Sequence, residues 1–196
     1  MFKRLAILIF VSLSMVVSAQ AQTWNIDPVH SHVGFTVRHM VITKVDGVFK
    51  DFAGAITNFD GKDVTRSAVD VTIQIPSIST DNDQRDTHLK SPDFFDAAKF
   101  PTMTFKSRKI IMGTGDKFTM IGDLTMKGVT REVTLDCTFN GTVVDQQGNT
   151  RAGFSATTTI NRQDYGVSWN GSLANGSMVV GNDVIIDLEI EAVKAK

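Results

Sequence analysis

Cysteine is almost absent from this sequence, since Cys137 is the single one in 196 residues. An intrachain disulfide is therefore excluded, and a covalent link could form only between two chains. We do not expect that link, because Cys137 falls in an apolar stripe and a free cysteine in such a place is usually a small buried hydrophobe. Proline is scarce too, with four residues, and none interrupts the middle of a strand pattern.

An excess of charge of one sign is also missing, because 20 basic residues face 21 acidic ones. A protein that binds nucleic acid usually carries a clustered basic excess. We therefore expect no nucleic-acid partner.

The sequence has no apolar run of the ~20 residues that a membrane-spanning helix needs. Its longest such run, Leu5 to Val17, follows Lys3 and Arg4 and precedes the small-x-small site Ala19-Gln20-Ala21. This order is typical of a secretory signal peptide. We predict a signal peptide over residues 1–21, cleaved after Ala21, and one domain over residues 22–196. The protein would then be periplasmic or secreted and would not span a membrane.

Apolar and polar residues alternate along most of the remaining chain. A period of two predicts antiparallel strands with one wet face and one apolar face. The clearest apolar stripes are Val33-Phe35-Val37-His39, Val69-Val71-Ile73-Ile75, Phe118-Met120-Leu124-Met126, Val133-Leu135-Cys137-Phe139, Ala152-Phe154-Ala156-Ile160 and Val184-Ile186-Leu188-Ile190.

Turn residues separate these runs, and one stretch between them is not a strand. Asp46-Gly47, Lys127-Gly128 and Gln147-Gly148-Asn149 indicate tight turns. Residues 81–96 lack the alternation, so we predict a short helical excursion there. Asp81 and Gln84 resemble an N-cap pair, and Pro92 with the following Asp93-Phe94-Phe95 indicates a second helical turn.

A sheet with one apolar face must close on itself or pack on another layer. Little helix is available to cover it, so we predict an all-β fold: an extended antiparallel barrel of about eight strands. Many inward residues are small or medium-sized, which leaves room for a cavity. The same stripes could also interdigitate in a sandwich.

Several motifs occur together in a recognisable order. The predicted domain begins with Trp24-Asn25-Ile26-Asp27-Pro28-Val29-His30-Ser31-His32. Further along the chain comes Arg85-Asp86-Thr87-His88-Leu89. Phe100-Pro101-Thr102, Gly122-Asp123-Leu124-Thr125 and Asn161-Arg162-Gln163-Asp164-Tyr165-Gly166 follow. From Trp24 to about Val193 the chain resembles the YceI-like family of polyisoprenoid-binding proteins.

This resemblance implies a lipocalin-like barrel with a long apolar tunnel, an isoprenoid or other amphiphilic ligand, and often a homodimer. We therefore expect a non-catalytic lipid-binding domain that transports or sequesters a long-chain isoprenoid, without a cofactor other than that lipid or a quinone-like lipid. Transient membrane contact would accompany such transport.

The stripes and the abundant phenylalanines provide candidate lipid-binding residues. Phe94 and Phe95 lie off the strand pattern and are the best candidates for a gate, while the Gly-rich segment 166–181 is predicted to lie near the opening. The full set of candidates is Phe35, Val37, Phe49, Phe52, Val71, Ile73, Phe94, Phe95, Phe105, Met120, Leu135, Phe154 and Trp169.

The polar residues of the helical excursion allow two interpretations. Arg85, His88 and Lys90 could meet a polar headgroup at the tunnel mouth, or they could form an ordinary solvated helix with local ion pairs. Asp81, Asp83 and Asp86 beside His88 could be catalytic, but N-terminal acids are also what a helix dipole favours. We predict no catalytic site.

Metal binding is not expected either. His30 and His32 share a strand face, yet a zinc site needs three or four protein ligands, and only His39 and His88 remain. Two other functions stay open: a ligand-free stress or interaction protein with a filled barrel, and a redox partner associated with quinone or haem.

Overall fold

The computed structural model describes residues 22–174 and 176–196. The predicted signal peptide lies outside the described residues, so its cleavage and the location of the protein stay predictions.

The described chain is almost entirely β-structure, with one α-helix, α1, at Asp83–Lys90. Short 3-10 turns occupy Ile75–Ser77 and Arg162–Tyr165. The strands are β1 Thr23–Ile26, β2 His32–His39, β3 Thr43–Phe49, β4 Phe52–Thr57, β5 Ala68–Gln74, β6 Ile78–Ser79, β7 Thr102–Met112, β8 Lys117–Met126, β9 Val129–Val144, β10 Thr150–Asn161 and β11 Val180–Lys194.

These segments form one closed antiparallel barrel of eight strands. The hydrogen-bonded order runs β1-β4-β5-β7-β8-β9-β10-β11, and β11 pairs back to β1. The remaining segments extend three of these strands: β2 continues β1, β3 continues β4, and β6 continues β5. The all-β barrel prediction and its strand number are therefore confirmed.

The predicted apolar stripes point into the barrel. On β8, Phe118, Met120, Leu124 and Met126 are all buried, as is Gly122 on the same face. The alternate residues Thr119, Ile121, Asp123 and Thr125 are only partly buried. The alternation was reliable because every strand of a closed barrel has one inner and one outer face.

One end of the barrel, which we call the lower end, is closed by an inserted loop. This lower end contains the start of β1, the end of β11 and the inserted loop, residues 58–67. Phe59 is fully buried there, and its ring lies 5.2 Å from Trp24 and 5.5 Å from both Phe139 and Phe154 between centroids. The Trp24 indole N–H donates a 2.9 Å hydrogen bond to the Phe59 carbonyl. This loop therefore acts as a plug.

The other end, the upper end, contains α1, the β2–β3 hairpin and residues 166–174 and 176–180. The prediction of a helical excursion is correct, but the capping residue is different. Asn82 is the N-cap and accepts from the Arg85 backbone N–H at 2.9 Å, while Asp81 has a left-handed backbone. Residues 92–95 form hydrogen-bonded turns and not a second helix.

The predicted turn at Asp46-Gly47 is wrong, because both residues lie inside β3. A Cβ on Gly47 would lie 2.3 Å from the Phe35 ring, so this glycine is needed for close packing and not for a turn. The chain turns instead at Met40–Ile42, where no glycine or asparagine marks the position.

An ion network ties the lower end together around Arg151. Its guanidinium contacts Asp27 at 2.8 Å, Asp145 at 2.7 Å, and Glu191. The hydrogen bond from His30, followed by that from Arg151, lowers the pKa of Asp27 to about 2. Arg151 likewise holds the pKa of Asp145 well below its usual range.

Cys137 is buried on β9, as expected, and burial raises the pKa of its thiol to about 12. The thiol is out of reach of a second chain, which removes the structural basis for a dimer bridged by this residue.

Truncation of the plug should be costly. We expect Phe59→Ala to lower the free energy of unfolding by about 3–5 kcal/mol, because the ring leaves a cavity among three aromatic neighbours. Urea unfolding would measure this. Val143→Ala is the control, since Val143 is 63% exposed. Equal losses in both variants would contradict the role of the plug.

The Arg151 network should make stability depend on acid. Asp145, mainly through Arg151, and Asp27, through His30 and Arg151, have folded pKa values below the unfolded value of 3.8. Their contribution is therefore present above that value and is lost as the pH falls below it. We expect Arg151→Met to be less stable than wild type at neutral pH, and the two stabilities to converge between pH ~5 and pH ~2. Arg108→Met, which breaks an exposed pair with Asp123 and Glu132, should change stability little at either pH. Parallel curves for wild type and Arg151→Met would contradict this.

Candidate functional site

A tunnel runs inside the barrel from the plug to the upper end. Its volume is about 230 Å³. Ile56, Val64 and Phe118 lie on its wall near the lower end, and Leu89 and Val180 lie on its wall at the upper end. Almost all of its lining side chains are aliphatic or aromatic, so the space suits an apolar chain and repels water.

Eleven of the thirteen residues predicted to bind lipid lie on the tunnel wall. Phe52 does not: it is 4% exposed and packs in the core beside the tunnel. Trp169 does not line the tunnel either, but it lines the adjoining chamber. The residues on the wall are Phe35, Val37, Phe49, Val71, Ile73, Phe94, Phe95, Phe105, Met120, Leu135 and Phe154.

The tunnel adjoins a second, more polar chamber, which we call the vestibule. Its volume is about 390 Å³. Five residues line both spaces and so form the boundary where the two meet, which we call the passage: Phe35, Val37, Leu89, Phe94 and Val180.

The vestibule carries charge of one sign. Among the described residues on its wall, the titratable ones are Arg38, His39, Arg85 and His88, and none is a carboxylate. Polar wall groups also come from Thr80, Asn82 and Gln84. The vestibule is therefore suited to an anionic or strongly hydrogen-bonding group.

An aromatic cluster stands at the passage. Phe94 is 5% exposed, and its ring centroid lies 5.2 Å from Trp169 and 5.0 Å from His88. The His88 Nε2–H donates a 2.9 Å hydrogen bond to the Asp93 carboxylate. These contacts hold Phe94 at the passage, where the sequence predicts a gate.

The predicted headgroup residues separate in the structure. Arg85 and His88 line the vestibule, whereas Lys90 lies on neither wall. The Arg85 guanidinium donates to the Thr80 hydroxyl at 2.7 Å and to its carbonyl at 2.6 Å, which fixes its direction.

Sequence reasoning missed Arg38 and His39. They sit at the end of β2, a strand whose inward stripe was recognised, but their place beside α1 depends on long-range packing. The only signal in the sequence is that the apolar stripe of β2 is followed by Arg38 and His39, which could have indicated the mouth of the tunnel.

Sequence reasoning also gave Arg162 no role, although this residue reaches the upper end of the tunnel. It is 5% exposed and donates to four carbonyl groups, at 2.9 Å to Gly181, 2.6 Å to Val167, 2.9 Å to Trp169 and 3.4 Å to Val180. In the described part of the chain no carboxylate pairs with it, and burial lowers its pKa. Arg162 therefore holds segment 166–181 in place while leaving a buried positive charge unbalanced.

The acidic residues near His88, for which catalysis was one interpretation, lie on neither chamber wall. Asp86 is buried and accepts from the Thr80 backbone N–H at 2.9 Å and from its hydroxyl. Asp81 and Asp83 flank the N-cap of α1, outside both chamber walls.

Asp27, His30 and Glu191 converge closely enough to hold a cation. Arg151 already contacts both carboxylates. A metal ion would have to compete with this fixed guanidinium, so the cluster is better explained as part of the ion network.

No helix within the described ranges is long and apolar enough to cross a membrane.

Sequence comparison finds relatives over nearly the whole domain. A UPF0312 protein of Staphylococcus aureus is 37% identical over 169 residues, covering 86% of this chain and 95% of that protein. A UPF0312 protein of Staphylococcus epidermidis is 36% identical over 169 residues, which again cover 86% of this chain and 95% of that protein.

Solved structures share the fold. A Campylobacter jejuni YCEI protein is 34% identical with a TM-score of 0.69, covering 87% of this chain and 96% of that one. A polyisoprenoid binding domain from Saccharophagus degradans has a TM-score of 0.66 at 15% identity, covering 88% of this chain and 98% of that one. The sequence model of the YceI-like domain family matches residues 24–192 of this chain. The chain therefore belongs to the YceI-like family.

Proposed function

We propose that this protein binds one amphiphilic lipid non-covalently, with its apolar chain in the tunnel and its polar head in the vestibule. The observation that carries the proposal is that an apolar tunnel adjoins a chamber whose wall, in the described residues, holds two arginines and no carboxylate. A chain threaded through this passage would meet the two environments in the order in which an amphiphile presents its parts.

The tunnel would supply most of the binding free energy. Burial of an alkyl chain contributes about 0.8 kcal/mol per methylene group, and part of that is lost when the ligand is immobilised.

A long-chain isoprenoid is the chain that we favour. This choice is supported by membership of the YceI-like family and by the shared fold of the S. degradans domain, which binds polyisoprenoids. Binding would serve sequestration or transport of the lipid through an aqueous compartment. A homodimer and transient membrane contact stay predictions.

The vestibule would select the headgroup. Arg38 and Arg85 offer guanidinium donors, and Arg162 adds an unbalanced charge behind the passage. Four of its five N–H donors are already used on carbonyl groups, so its contribution would be mainly electrostatic. Together these residues favour a head that is anionic or rich in hydrogen-bond acceptors.

The two other candidate functions have less support. A barrel filled by its own side chains would not hold a tunnel of about 230 Å³. For a haem-associated function, no histidine lines the tunnel in the described residues, and the Cys137 thiol has a pKa of about 12, so it is a poor ligand. A quinone with an isoprenoid tail remains compatible, because it is itself an amphiphile.

Blocking the tunnel should abolish lipid binding. Ala156 lies on the tunnel wall, and we expect Ala156→Trp to lower the amount of copurified lipid at least about tenfold, because the indole fills the space that the chain would occupy. Mass spectrometry of organic extracts from purified protein would measure the lipid. A stoichiometric isoprenoid in the wild type would identify the chain, and an absorbing extract would identify a quinone.

The neighbouring variant Thr157→Trp is the control, because Thr157 is exposed on the same strand. Circular dichroism should show that both variants are folded. A folded Ala156→Trp protein that keeps the wild-type amount of lipid would refute binding in the tunnel, as would a wild-type extract matching that of an unrelated exported protein.

Removal of a vestibule charge should weaken binding of anionic heads selectively. We expect Arg38→Gln to raise the Kd for farnesyl diphosphate about tenfold, since a charge-assisted hydrogen bond contributes about 1.5–3 kcal/mol. The Kd for farnesol should stay the same. Fluorescence of Trp169, which lines the vestibule, would report both titrations. Arg108→Gln, on an exposed strand face, is the matched control, and an equal loss for both ligands would contradict headgroup selection.

A further inference from the structure

The β2–β3 hairpin ends in three consecutive apolar residues that face solvent. Met40, Val41 and Ile42, which we call the apolar tip, are 39%, 63% and 79% exposed. The Met40 backbone N–H donates to the Val179 carbonyl at 2.8 Å, which places the tip beside segment 166–181. Met178, on that segment, is 41% exposed as well.

Folding does not explain these residues. Met40 and Val41 have φ angles of 51° and 68°, a left-handed conformation that favours glycine or asparagine and is strained for a β-branched side chain. Turn chemistry and solvent exposure would both select polar residues here. The apolar side chains therefore point to a contact made outside the isolated chain.

The charges around the tip indicate what that contact is. Arg38 and Lys44 are register partners at its base, and both are exposed. From Arg38 to Val45 the sequence contains no carboxylate. An exposed apolar group above a pair of cations is the arrangement that binds an anionic lipid surface, because the apolar part enters the acyl boundary and the cations meet the headgroups.

The apolar tip lies directly beside the wall of the vestibule. Arg38 and His39 line the vestibule and lead directly into Met40. A bilayer that receives the tip would therefore lie against the mouth of the tunnel.

We propose that the apolar tip inserts into the surface of an anionic phospholipid bilayer and docks the vestibule against it. This docking goes beyond binding of a lipid in the tunnel and does not require the tunnel to be occupied. Cations at the base of the tip make docking weaker at high salt.

The opposite end of the barrel offers a matched control surface. Val143 and Val144 are each 63% exposed. They lie near the end of β9, where β10 pairs Val143 with Arg151 and β11 pairs Arg151 with Val193, far along β11 from the hairpin tip. Asp145 follows them directly, so these valines combine equal exposure with an acidic neighbour.

The test is flotation of delipidated protein with vesicles of equal parts phosphatidylcholine and phosphatidylglycerol. We expect the double variant Val41→Asn, Ile42→Asn to lose vesicle binding at least about tenfold, because two inserted side chains become polar. Asparagine tolerates the left-handed backbone at position 41, so the variant should fold at least as well as the wild type. Val143→Asn, Val144→Asn should bind like the wild type, and pure phosphatidylcholine vesicles should bind much less protein.

A second measurement reports insertion directly. The emission of a tryptophan introduced by Ile42→Trp should shift to shorter wavelength on anionic vesicles and be quenched by brominated lipids, whereas that of Val144→Trp should not. Equal responses at the two ends, or no flotation of the wild type, would overturn the proposal. So would a self-association that the tip variant abolishes without any change in vesicle binding, because the tip would then contact a second copy of the chain.

The Ala156→Trp protein separates this proposal from the proposed function. It should float like the wild type although it carries no lipid. If docking fails while lipid still copurifies, the tunnel assignment stands alone; if lipid binding fails while docking persists, the tip acts on membranes for another reason.

Discussion

Everything else in this barrel depends on a short seam of backbone pairing between its first and last strands. Three residues of β1 pair with three of β11, and only this pairing lets an antiparallel sheet cover its own apolar face. Without it, the inward stripes would face water and two strand edges would be exposed. Trp24 stabilises the seam, since it is 1% exposed and its indole N–H donates to the Phe59 carbonyl. The seam and the plug are therefore one structural unit, and the tunnel can exist only above it.

The two ends of the barrel differ because three of its eight wall strands are each interrupted and consist of two segments. β1, β4 and β5 form the closed lower ring, while their continuations β2, β3 and β6 carry the wall upward. The pairing between β5 and β7 ends at Gln74 and Thr102, and the chain between β6 and β7 fills that gap with α1 and the turns around Phe94. Helical structure in this chain therefore serves the mouth of the tunnel and not the core. This explains why the one segment without alternation in the sequence contributes residues to both the passage and the vestibule.

The sequence predicts features set by the two faces of a strand far better than features set by distant packing. Inward stripes such as Val69-Val71-Ile73 were found because closure forces the same alternation on every strand. The turn at Asp46-Gly47 was wrong because glycine serves close packing as well as turns, and here Phe35 needs the space. Phe52 was placed in the tunnel on residue type alone, yet it packs in the core beside it. Arg38 was missed because its neighbours across the vestibule are remote in sequence.

Two arginines show why function is better sought at the upper end. At the lower end, Arg151 meets three carboxylates, which more than balance its single positive charge. At the upper end, Arg162 is buried against carbonyl groups alone, although an unpaired buried charge is costly. The strained Val41 and the exposed Ile42 lie at that same end. Departures from what folding favours tend to gather where a protein meets its partners. A lipid head would balance the buried charge of Arg162, and a bilayer would cover the exposed apolar tip. The two contacts would then lie side by side at one mouth of the barrel.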